Sequence, residues 1–392
     1  MRAGAGALAL LMATGCSATS TDQDGDGPGA KAAITITPMD GARELPPELP
    51  ITVGAAGGAL KSVTVRAGGQ PVTGIYSADH TQWRSERPMA PGVSYSVTAV
   101  AAAPGGGTVQ RSSAFTTKRG TTTFGIETLL PSKQDTGLTV GVGMPIMLTF
   151  DKKITDRVSV ERNLFVQASQ PVEGAWHWYD DRNVVFRPKA YWPPYTKVRF
   201  TARLSGVRGA EGMYGKQDYV RDFTIGRSQI SLADTQTHYM KIRRDGKVIQ
   251  NFPISAGMGG VWRHYTTSGV HLAMSREDVT VMTSPDAGPG DAGYYQTTVY
   301  DTVRISNSGE YVHGAPWSVG DQGNSNVSHG CINVSPSNAK WFLKNTLIGD
   351  PVIVRGTPRK LEPTNGWGHW QESWGDWLKW SRLRGDVAQP LL

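Results

Sequence analysis

The feature that most constrains the fold is an internal repeat, in which the same turn punctuation returns after about a hundred residues. Short β-branched runs, such as residues 34–37, stand between prolines and glycines throughout the first half of the chain. Equivalent points of the two copies are marked by Arg87-Pro88 and Arg187-Pro188, and by Pro50-Ile51 and Pro145-Ile146. Turn signals about every 8–12 residues in units of this size are typical of immunoglobulin-like β-sandwiches. We therefore predict two such sandwiches, over residues 34–120 and 121–226.

Composition supports a mainly β protein. The chain has 47 glycines and 24 prolines among 392 residues, which argues against long helices and coiled coils. Aromatic residues make up 9% of the chain, too many for a mostly disordered protein. No apolar run reaches the ~18 residues that a transmembrane helix needs. The formal charge of +7 is scattered rather than gathered in basic stripes, so we expect no nucleic-acid binding; it suits a polyanionic polymer of the bacterial envelope.

The N-terminus has the pattern of an export signal. Met1-Arg2 precedes a run of small and apolar residues that ends at Gly15-Cys16. The last four residues, 13–16, resemble a bacterial lipobox, in which the cysteine is diacylated after cleavage. An ordinary secretory signal and an apolar leader with a chance cysteine are the alternatives. Residues 19–29 are polar and glycine-rich, as in a flexible tether. We predict a signal and tether over residues 1–33, lipidation at Cys16, and an extracytoplasmic protein anchored to the cell membrane.

The pattern changes after Arg227, and a third β-rich domain is predicted over residues 227–356. Asp245-Gly246 between two alternating runs predicts a hairpin. Ser335-Pro336-Ser337 is a helix start signal, and it predicts a short amphipathic helix around residues 338–344. Residues 352–354 read as the closing strand.

Cys331, the only cysteine besides Cys16, lies in this third domain, so a disulfide framework is excluded. Nearby imidazoles and backbone N–H groups lower the pKa of a catalytic thiol, and His313 and His329 are both near in sequence. Gly330 before the thiol allows close approach of a substrate, and successive N–H groups in such a turn can form an oxyanion hole. A zinc site built from the two histidines and the cysteine is the alternative. It lacks a fourth ligand and the usual spacing, so we predict no metal.

These residues resemble a known signature. His313, fourteen intervening residues and then Ser-His-Gly-Cys-Ile-Asn at 328–333 are similar to the motif of L,D-transpeptidases with a YkuD-type catalytic domain. The longer stretch of residues 305–342 resembles the actinobacterial branch, which joins an anchor signal, two immunoglobulin-like domains and this catalytic domain. The resemblance covers nearly the whole chain.

The resemblance implies an activity. Such enzymes form 3→3 cross-links in peptidoglycan, with a tetrapeptide stem as donor and the diaminopimelate amine of a second stem as acceptor. It implies that Cys331 attacks the diaminopimelate carbonyl, releasing D-Ala, and that His313 is the general base. It implies no cofactor, and carbapenem β-lactams as covalent inhibitors. The backbone N–H groups of Gly330 and Cys331 are the expected oxyanion donors, while Ser328 and His329 shape the site.

The resemblance also implies substrate-binding residues, and some have alternatives. The expected set is Tyr295, Ser308, Gly309 and Asn333. Tyr294 is an alternative for the aligned tyrosine, and both tyrosines could instead cap a loop. Asn333 could instead stabilise the turn after the cysteine. His329 is expected to be a hydrogen-bonded structural histidine, and a second general base is the alternative.

Three positions depart from the family pattern. Gly314 follows His313 where relatives can carry serine, so a backbone carbonyl must orient the imidazole. The loop of residues 282–294, expected to form part of a lid, is short. Arg208 stands where an acidic calcium ligand would be expected near Glu211, which is a second reason to predict no metal.

The tail repeats tryptophan at helical spacing. Over residues 357–392 we expect a helix that packs on the catalytic domain and is broken by glycines, and a glycan-binding platform is the alternative. The five residues are Trp367, Trp370, Trp374, Trp377 and Trp380.

Three other functions compete with cross-linking. An L,D-carboxypeptidase uses the same residues with water as acceptor. A wall-binding lipoprotein with a silent catalytic domain is disfavoured by the intact motif. In a papain-like protease the cysteine precedes the histidine by a long interval, which is the reverse of the order here.

Overall fold

The computed structural model describes residues 32–103, 105–134, 137–284, 288–291, 294–383 and 387–390. The predicted signal, Cys16 and the tether lie outside these residues, as do 285–287 and 292–293 of the expected lid. Among the helices of the described residues, none is long and apolar enough to cross a membrane.

The first module is a sandwich of two four-stranded sheets with one shared core. Along its long seventh strand, every second residue from Tyr95 to Ala101 is buried, which is the alternation that a half-buried strand requires. The sheet orders are β1-β2-β6-β5 and β4-β3-β7-β8, with strands β1 (Ala33–Thr37), β2 (Thr52–Ala56), β3 (Ala59–Ala67), β4 (Gln70–Pro71), β5 (Gly74–Tyr76), β6 (Gln82–Ser85), β7 (Ser94–Ala102) and β8 (Thr108–Thr116).

The second module is a larger sandwich. Its core holds aromatic rings at edge contact, with Trp176 lying 5.4 Å from Phe186 and 5.7 Å from Phe200 between ring centroids. Its main strands pair as β10-β12-β15-β14 and β13-β16-β19-β11, with β17-β18-β9 as a small sheet. The elements are β9 (Thr122–Phe124), β10 (Ile126–Leu130), β11 (Thr139–Val140), β12 (Ile146–Phe150), α1 (Arg157–Glu161), β13 (Leu164–Ala168), β14 (Val172–Trp178), β15 (Asn183–Pro188), β16 (Lys197–Ala202), β17 (Arg208–Ala210), β18 (Met213–Gly215) and β19 (Tyr219–Ile225).

Ion pairs join the two modules. Arg87 makes a two-pronged contact with Asp218, at 2.5 and 2.8 Å. Arg208 bonds to Asp156 at 2.9 Å and approaches Glu48 of the first module at 3.4 Å. The arginine that departs from the family pattern therefore supplies a cation to the junction.

The third module contains two sheets, ordered β22-β21-β20-β28-β23 and β24-β25-β26-β27. The predicted hairpin at Asp245-Gly246, the closing strand and the helix are all confirmed. Ser335 caps that helix by accepting from the N–H of Asn338. The elements are β20 (Gln229–Asp234), β21 (Tyr239–Arg244), β22 (Lys247–Pro253), β23 (Gly269–Leu272), β24 (Ser275–Thr283), β25 (Gln296–Arg304), β26 (Tyr311–Gly314), β27 (Ile332–Val334), α2 (Pro336–Asn345) and β28 (Pro351–Arg355), with 3-10 turns at Trp262–His264 and Pro316–Ser318.

The first part of the tail packs on the catalytic domain as expected, since Leu361 N–H donates to Ser268 O at 2.9 Å and Asn365 bonds to Ser308; the expectation is wrong for the helix. The 3-10 turn His369–Gln371 still reaches that domain, since Gln371 donates to Val270 O. The helix α3 (Trp374–Lys379) instead packs on β14 of the second sandwich, and β29 (Val387–Pro390) pairs with β13 and β14. The physical reason is a gap between β13 and β14, whose free edges the last strand fills.

Three tryptophans of the tail are anchors rather than an open platform, while Trp380 is 52% exposed. Trp377 is fully buried, and Trp370, Trp374 and Trp377 surround the guanidinium of Arg187 at 4.5–5.4 Å. Among the described residues of this segment, the helical elements are one 3-10 turn and one short helix, so the predicted break in the helix is confirmed.

Candidate active site

Cys331 lies immediately before β27, and the residue as a whole is partly exposed. The preceding Gly330 has φ +139°, a conformation that side-chain-bearing residues rarely adopt, so glycine is required at this turn. Two backbone groups contact the sulfur: Gly309 O at 3.6 Å and the N–H of Tyr311. Burial, together with the charge of Glu310, raises the pKa of the Cys331 thiol to about 12, although the Tyr311 N–H opposes this shift. The resting residue is therefore a thiol.

His313 lies on β26, which runs parallel to β27 and pairs His313 with Asn333, two residues beyond the cysteine. Neighbouring strands are about 4.8 Å apart, so this register brings the imidazole close to the thiol turn. Nδ1 lies 3.0 Å from Gly314 O, and because a carbonyl only accepts, Nδ1 carries the proton. The predicted orientation of the ring by a backbone carbonyl is confirmed. Nε2 is left with a lone pair, and burial lowers the pKa of His313, which keeps the ring neutral.

Ser328 braces the turn that carries the thiol. Its hydroxyl donates to Cys331 O at 2.6 Å and accepts from Gly330 N–H at 3.1 Å. The predicted shaping role of Ser328 has a direct geometric basis in these contacts. They also give Gly330 N–H a partner within the protein, which differs from the predicted use of that group as an oxyanion donor.

Three aromatic rings stand in a row beside the cysteine. Tyr295 stacks on His329 with centroids 5.1 Å apart, and His329 meets His264 edge-on at 4.8 Å. Burial and the charge of the nearby Cys331 raise the pKa of Tyr295, and its stacking on His329 beside the cysteine favours Tyr295 over Tyr294. His329 is exposed and contacts both neighbouring rings, and its expected hydrogen-bonded structural role stays a prediction. Sequence reasoning missed His264, because no motif or spacing singles it out.

The remaining predicted binding residues divide into two groups. Gly309 has φ +89° and faces the thiol through its carbonyl, and Ser308 bonds to Asn365 of the tail through both its N–H and its hydroxyl. Asn333 is buried with 3% exposure, and its amide donates to Ser318 Oγ at 3.1 Å. Of its two predicted roles, this placement favours stabilising the turn over contact with substrate.

Glu310 is a buried residue of the site that sequence reasoning missed. It is 3% exposed, lies between Gly309 and Tyr311, and bonds to Thr267. The sequence signal that could have found Glu310 was its position next to the predicted binding residue Gly309 and three residues before His313. A glutamate at a strand end is usually solvated, so this position did not indicate a buried charge. Across the part of the chain that the structure describes, no group of three or more His, Cys, Asp or Glu side chains is placed to hold a metal ion.

Comparison with known proteins supports the resemblance. Residues 228–354 match the model of the L,D-transpeptidase catalytic domain, and residues 42–208 match a bacterial Ig domain. The chain is 35% identical over 364 residues to L,D-transpeptidase 5 of Mycobacterium tuberculosis, covering 91% of this chain and 78% of that protein. It is also 35% identical over 348 residues to L,D-transpeptidase 2 of the same species, covering 88% and 83%. The chain belongs to the L,D-transpeptidase family.

Family membership confirms the predicted fold class, Ig-like domains followed by a YkuD catalytic domain in a mainly β chain, and the enzyme class of transpeptidase. A solved structure of the L,D-transpeptidase LdtMt1 in complex with imipenem is similar, with 35% identity and a TM-score of 0.50. The match covers 59% of this chain and 99% of that one.

Proposed function

We propose that this L,D-transpeptidase forms 3→3 cross-links in peptidoglycan through a thioester on Cys331. The observation that carries the proposal is the pairing of a thiol turn with a neutral imidazole. His313 Nδ1 is bound to Gly314 O, and its other nitrogen is left as a base beside the cysteine. The proposed substrates are tetrapeptide stems as donors and the side-chain amine of diaminopimelate as acceptor.

The first half-reaction follows from the protonation states. Since burial keeps Cys331 a thiol and His313 neutral, the thiol proton passes to His313 Nε2 as the sulfur attacks the diaminopimelate carbonyl. The S–C bond forms, the C–N bond to D-Ala breaks, and His313 returns the proton to the departing amine. The Cys331 N–H is the remaining predicted donor to the oxyanion, because Gly330 N–H is bonded to Ser328.

In the second half-reaction the acceptor amine attacks the thioester. His313 takes one proton from that amine, the new amide forms, and the sulfur leaves as a thiol after regaining the proton. A carbapenem would acylate the same sulfur by opening its β-lactam ring. The imipenem complex of a relative supports β-lactam binding at this class of site.

The nucleophile is tested with Cys331→Ala. We expect no imipenem adduct by mass spectrometry and no cross-linked product, with a loss of stability of about 1–2 kcal/mol at most because the side chain is small. Ser337→Ala, a small change at an exposed residue of α2, is the control and should keep the adduct. An adduct on Cys331→Ala would show that another residue is the nucleophile.

Donor choice tests the reaction itself. We expect a tetrapeptide stem to lose one D-Ala and give dimers, and a pentapeptide stem to react little, since its extra residue leaves groups built for the terminal carboxylate unpaired. D-Ala release and product mass are the measurements. Tripeptide without dimer would indicate an L,D-carboxypeptidase, and dimers linked through a D-Ala carbonyl would indicate a D,D-enzyme.

We also propose that a diacylated Cys16 anchors the protein to the cell membrane, with the two ion-paired sandwiches holding the catalytic domain toward the wall. A diacyl anchor is stable where a single chain is marginal. Cys16→Ser should move the protein from the membrane fraction to the soluble fraction. Unchanged detergent partitioning would leave only an ordinary signal peptide.

A further inference from the structure

A buried carboxylate, that of Glu310, lies behind the Cys331 turn and takes no part in the proposed proton transfers. Thr267 holds both of its oxygens: the backbone N–H donates to Oε1 at 2.6 Å, and the hydroxyl donates to Oε2 at 2.7 Å. His271 approaches the same oxygen, with Nε2 at 3.6 Å. All three side chains are nearly inaccessible to solvent.

The hydrogen bonds among these groups run in one direction. Because the Thr267 hydroxyl gives its proton to Glu310, its lone pair is what meets His271 Nε2 at 2.8 Å. His271 therefore carries its proton on Nε2 and donates it to Thr267. Its Nδ1 has no hydrogen-bond partner among the described residues. The carboxylate is thus fixed at the end of a chain of donors.

The backbone of Glu310 is fixed as well. Its N–H donates to Ser306 Oγ at 3.1 Å, and its carbonyl accepts from Ile305 N–H at 2.9 Å. The two residues on either side of it, Gly309 and Tyr311, supply the carbonyl and the N–H that contact the Cys331 sulfur. A residue held at side chain and backbone therefore stands between the two groups that touch the thiol.

We propose that Glu310 is a positioning residue of the active site: locked against Thr267 and His271, it holds Gly309 O and Tyr311 N–H on the Cys331 sulfur and places a buried negative charge behind it. The inference rests on the proposed function, because it assigns a role relative to the nucleophile.

The negative charge of Glu310 affects the pKa of the Cys331 thiol. Burial alone would raise the pKa of Glu310, but the nearby His271 and the two hydrogen bonds from Thr267 outweigh it and hold that pKa below its usual range. The ionised carboxylate adds to the effect of burial in raising the pKa of Cys331. Tyr295 and Tyr311 also interact with Cys331, and both tyrosines remain neutral because burial raises their pKa values, while His313 lies on the neighbouring strand. Glu310 thus adds to burial in favouring the thiol form of the resting cysteine.

The test is the pH dependence of iodoacetamide alkylation of Cys331 in the full chain. For Glu310→Gln we expect the midpoint to move to lower pH by about 0.5–1 unit, which is about 3–10-fold faster alkylation at pH 7. Glu310→Asp keeps the charge and should restore the original midpoint. Glu277→Gln removes an exposed carboxylate on β24 and is the matched control, with no shift expected.

An unchanged midpoint in a folded Glu310→Gln protein would overturn the inference. If circular dichroism shows that this variant does not fold, Thr267→Val tests the same claim, because it removes the hydroxyl that holds the carboxylate and keeps the charge. We expect imipenem acylation to slow at least threefold in that variant, and an unchanged rate would overturn the inference. Failure of the unsubstituted protein to be acylated at Cys331 would instead overturn the proposed function, so the two failures are distinct.

Discussion

Two regions of the molecule bury histidine in the same way and put it to different uses. In the active site, His313 binds a carbonyl through Nδ1, and burial lowers its pKa. At the junction of the tail and the second sandwich, His177 does the same with Trp377 O at 3.2 Å, and burial lowers its pKa to about 4. The neighbouring His369 bonds to Tyr179 OH at 2.8 Å, and its pKa falls to about 3.

The difference lies in what surrounds the free nitrogen. His177 is enclosed by Tyr179 and Trp377, with ring centroids at 4.3 and 4.4 Å, and by the caged Arg187. His313 lies beside a glycine turn that leaves Cys331 partly exposed. A buried, neutral histidine is therefore common to both regions, and a perturbed pKa alone does not mark a catalytic site. What distinguishes the active site is a partly exposed cysteine on the strand next to the histidine.

The sharpest test replaces one buried histidine by glutamine in each of the two regions. His313→Gln should slow imipenem acylation by about 10²–10⁴-fold, because no base remains to take the thiol proton. His369→Gln alters a histidine of similar burial and should leave the rate within about twofold. Acylation kinetics by mass spectrometry, with circular dichroism as a check of folding, are the measurements. A large loss of rate in His369→Gln would make the tail cluster part of the active site.

The second test concerns stability rather than catalysis. The buried cluster at the junction of the tail and the second sandwich should contribute to stability. Trp377→Ala removes a fully buried ring that covers Arg187 and donates to Ala175 O at 2.9 Å. We expect the free energy of unfolding to fall by about 3–5 kcal/mol. Trp380→Ala, just after the same helix and 52% exposed, is the control and should cost less than about 1 kcal/mol. Urea unfolding followed by circular dichroism measures both, and equal losses would show that the cluster is not an anchor.

The smallest expected effect is that of mild acid. Because the folded-state pKa values of His177 and His369 lie below the ordinary 6.5, the unfolded chain binds more protons between pH 6.5 and about 3. The contribution of these two neutral histidines to the free energy of unfolding is therefore fully present above pH 6.5 and is lost as the pH falls. Glu372, whose pKa is raised by burial, offsets a part of this loss.

We therefore expect the melting temperature to be lower at pH 5.5 than at pH 7, on the order of 2–4 °C. The acylation rate should change less than the protonation of a free histidine predicts, since the pKa of His313 also lies below 6.5. Thermal scans and rates at the two pH values check both parts. A melting temperature independent of pH would contradict the assignment of neutral buried histidines in the tail.

Much of the fold and site follows from local sequence. The hairpin at Asp245-Gly246 and the helix capped by Ser335 depend on residues close together in the chain, and both were predictable. The carbonyl that orients His313 was predictable too, because Gly314 has no side chain to take that role. Glu310 and His264 were not, since Thr267, His271 and His329 come from distant loops and strands.

By itself the sequence determined the β modules, their turns and the motif that holds His313 and Cys331, because these depend on local alternation, glycine and proline positions and motif spacing. Tertiary structure alone decided where the tail docks and which polar groups are buried together. The tryptophans at helical spacing specify an apolar surface but not its partner, and the partner proved to be the second sandwich around Arg187. Likewise, a glutamate becomes a fixed charge behind the thiol only when the chain brings Thr267 and His271 to it, since the groups that keep this buried carboxylate ionised come from residues 43 and 39 positions away in sequence.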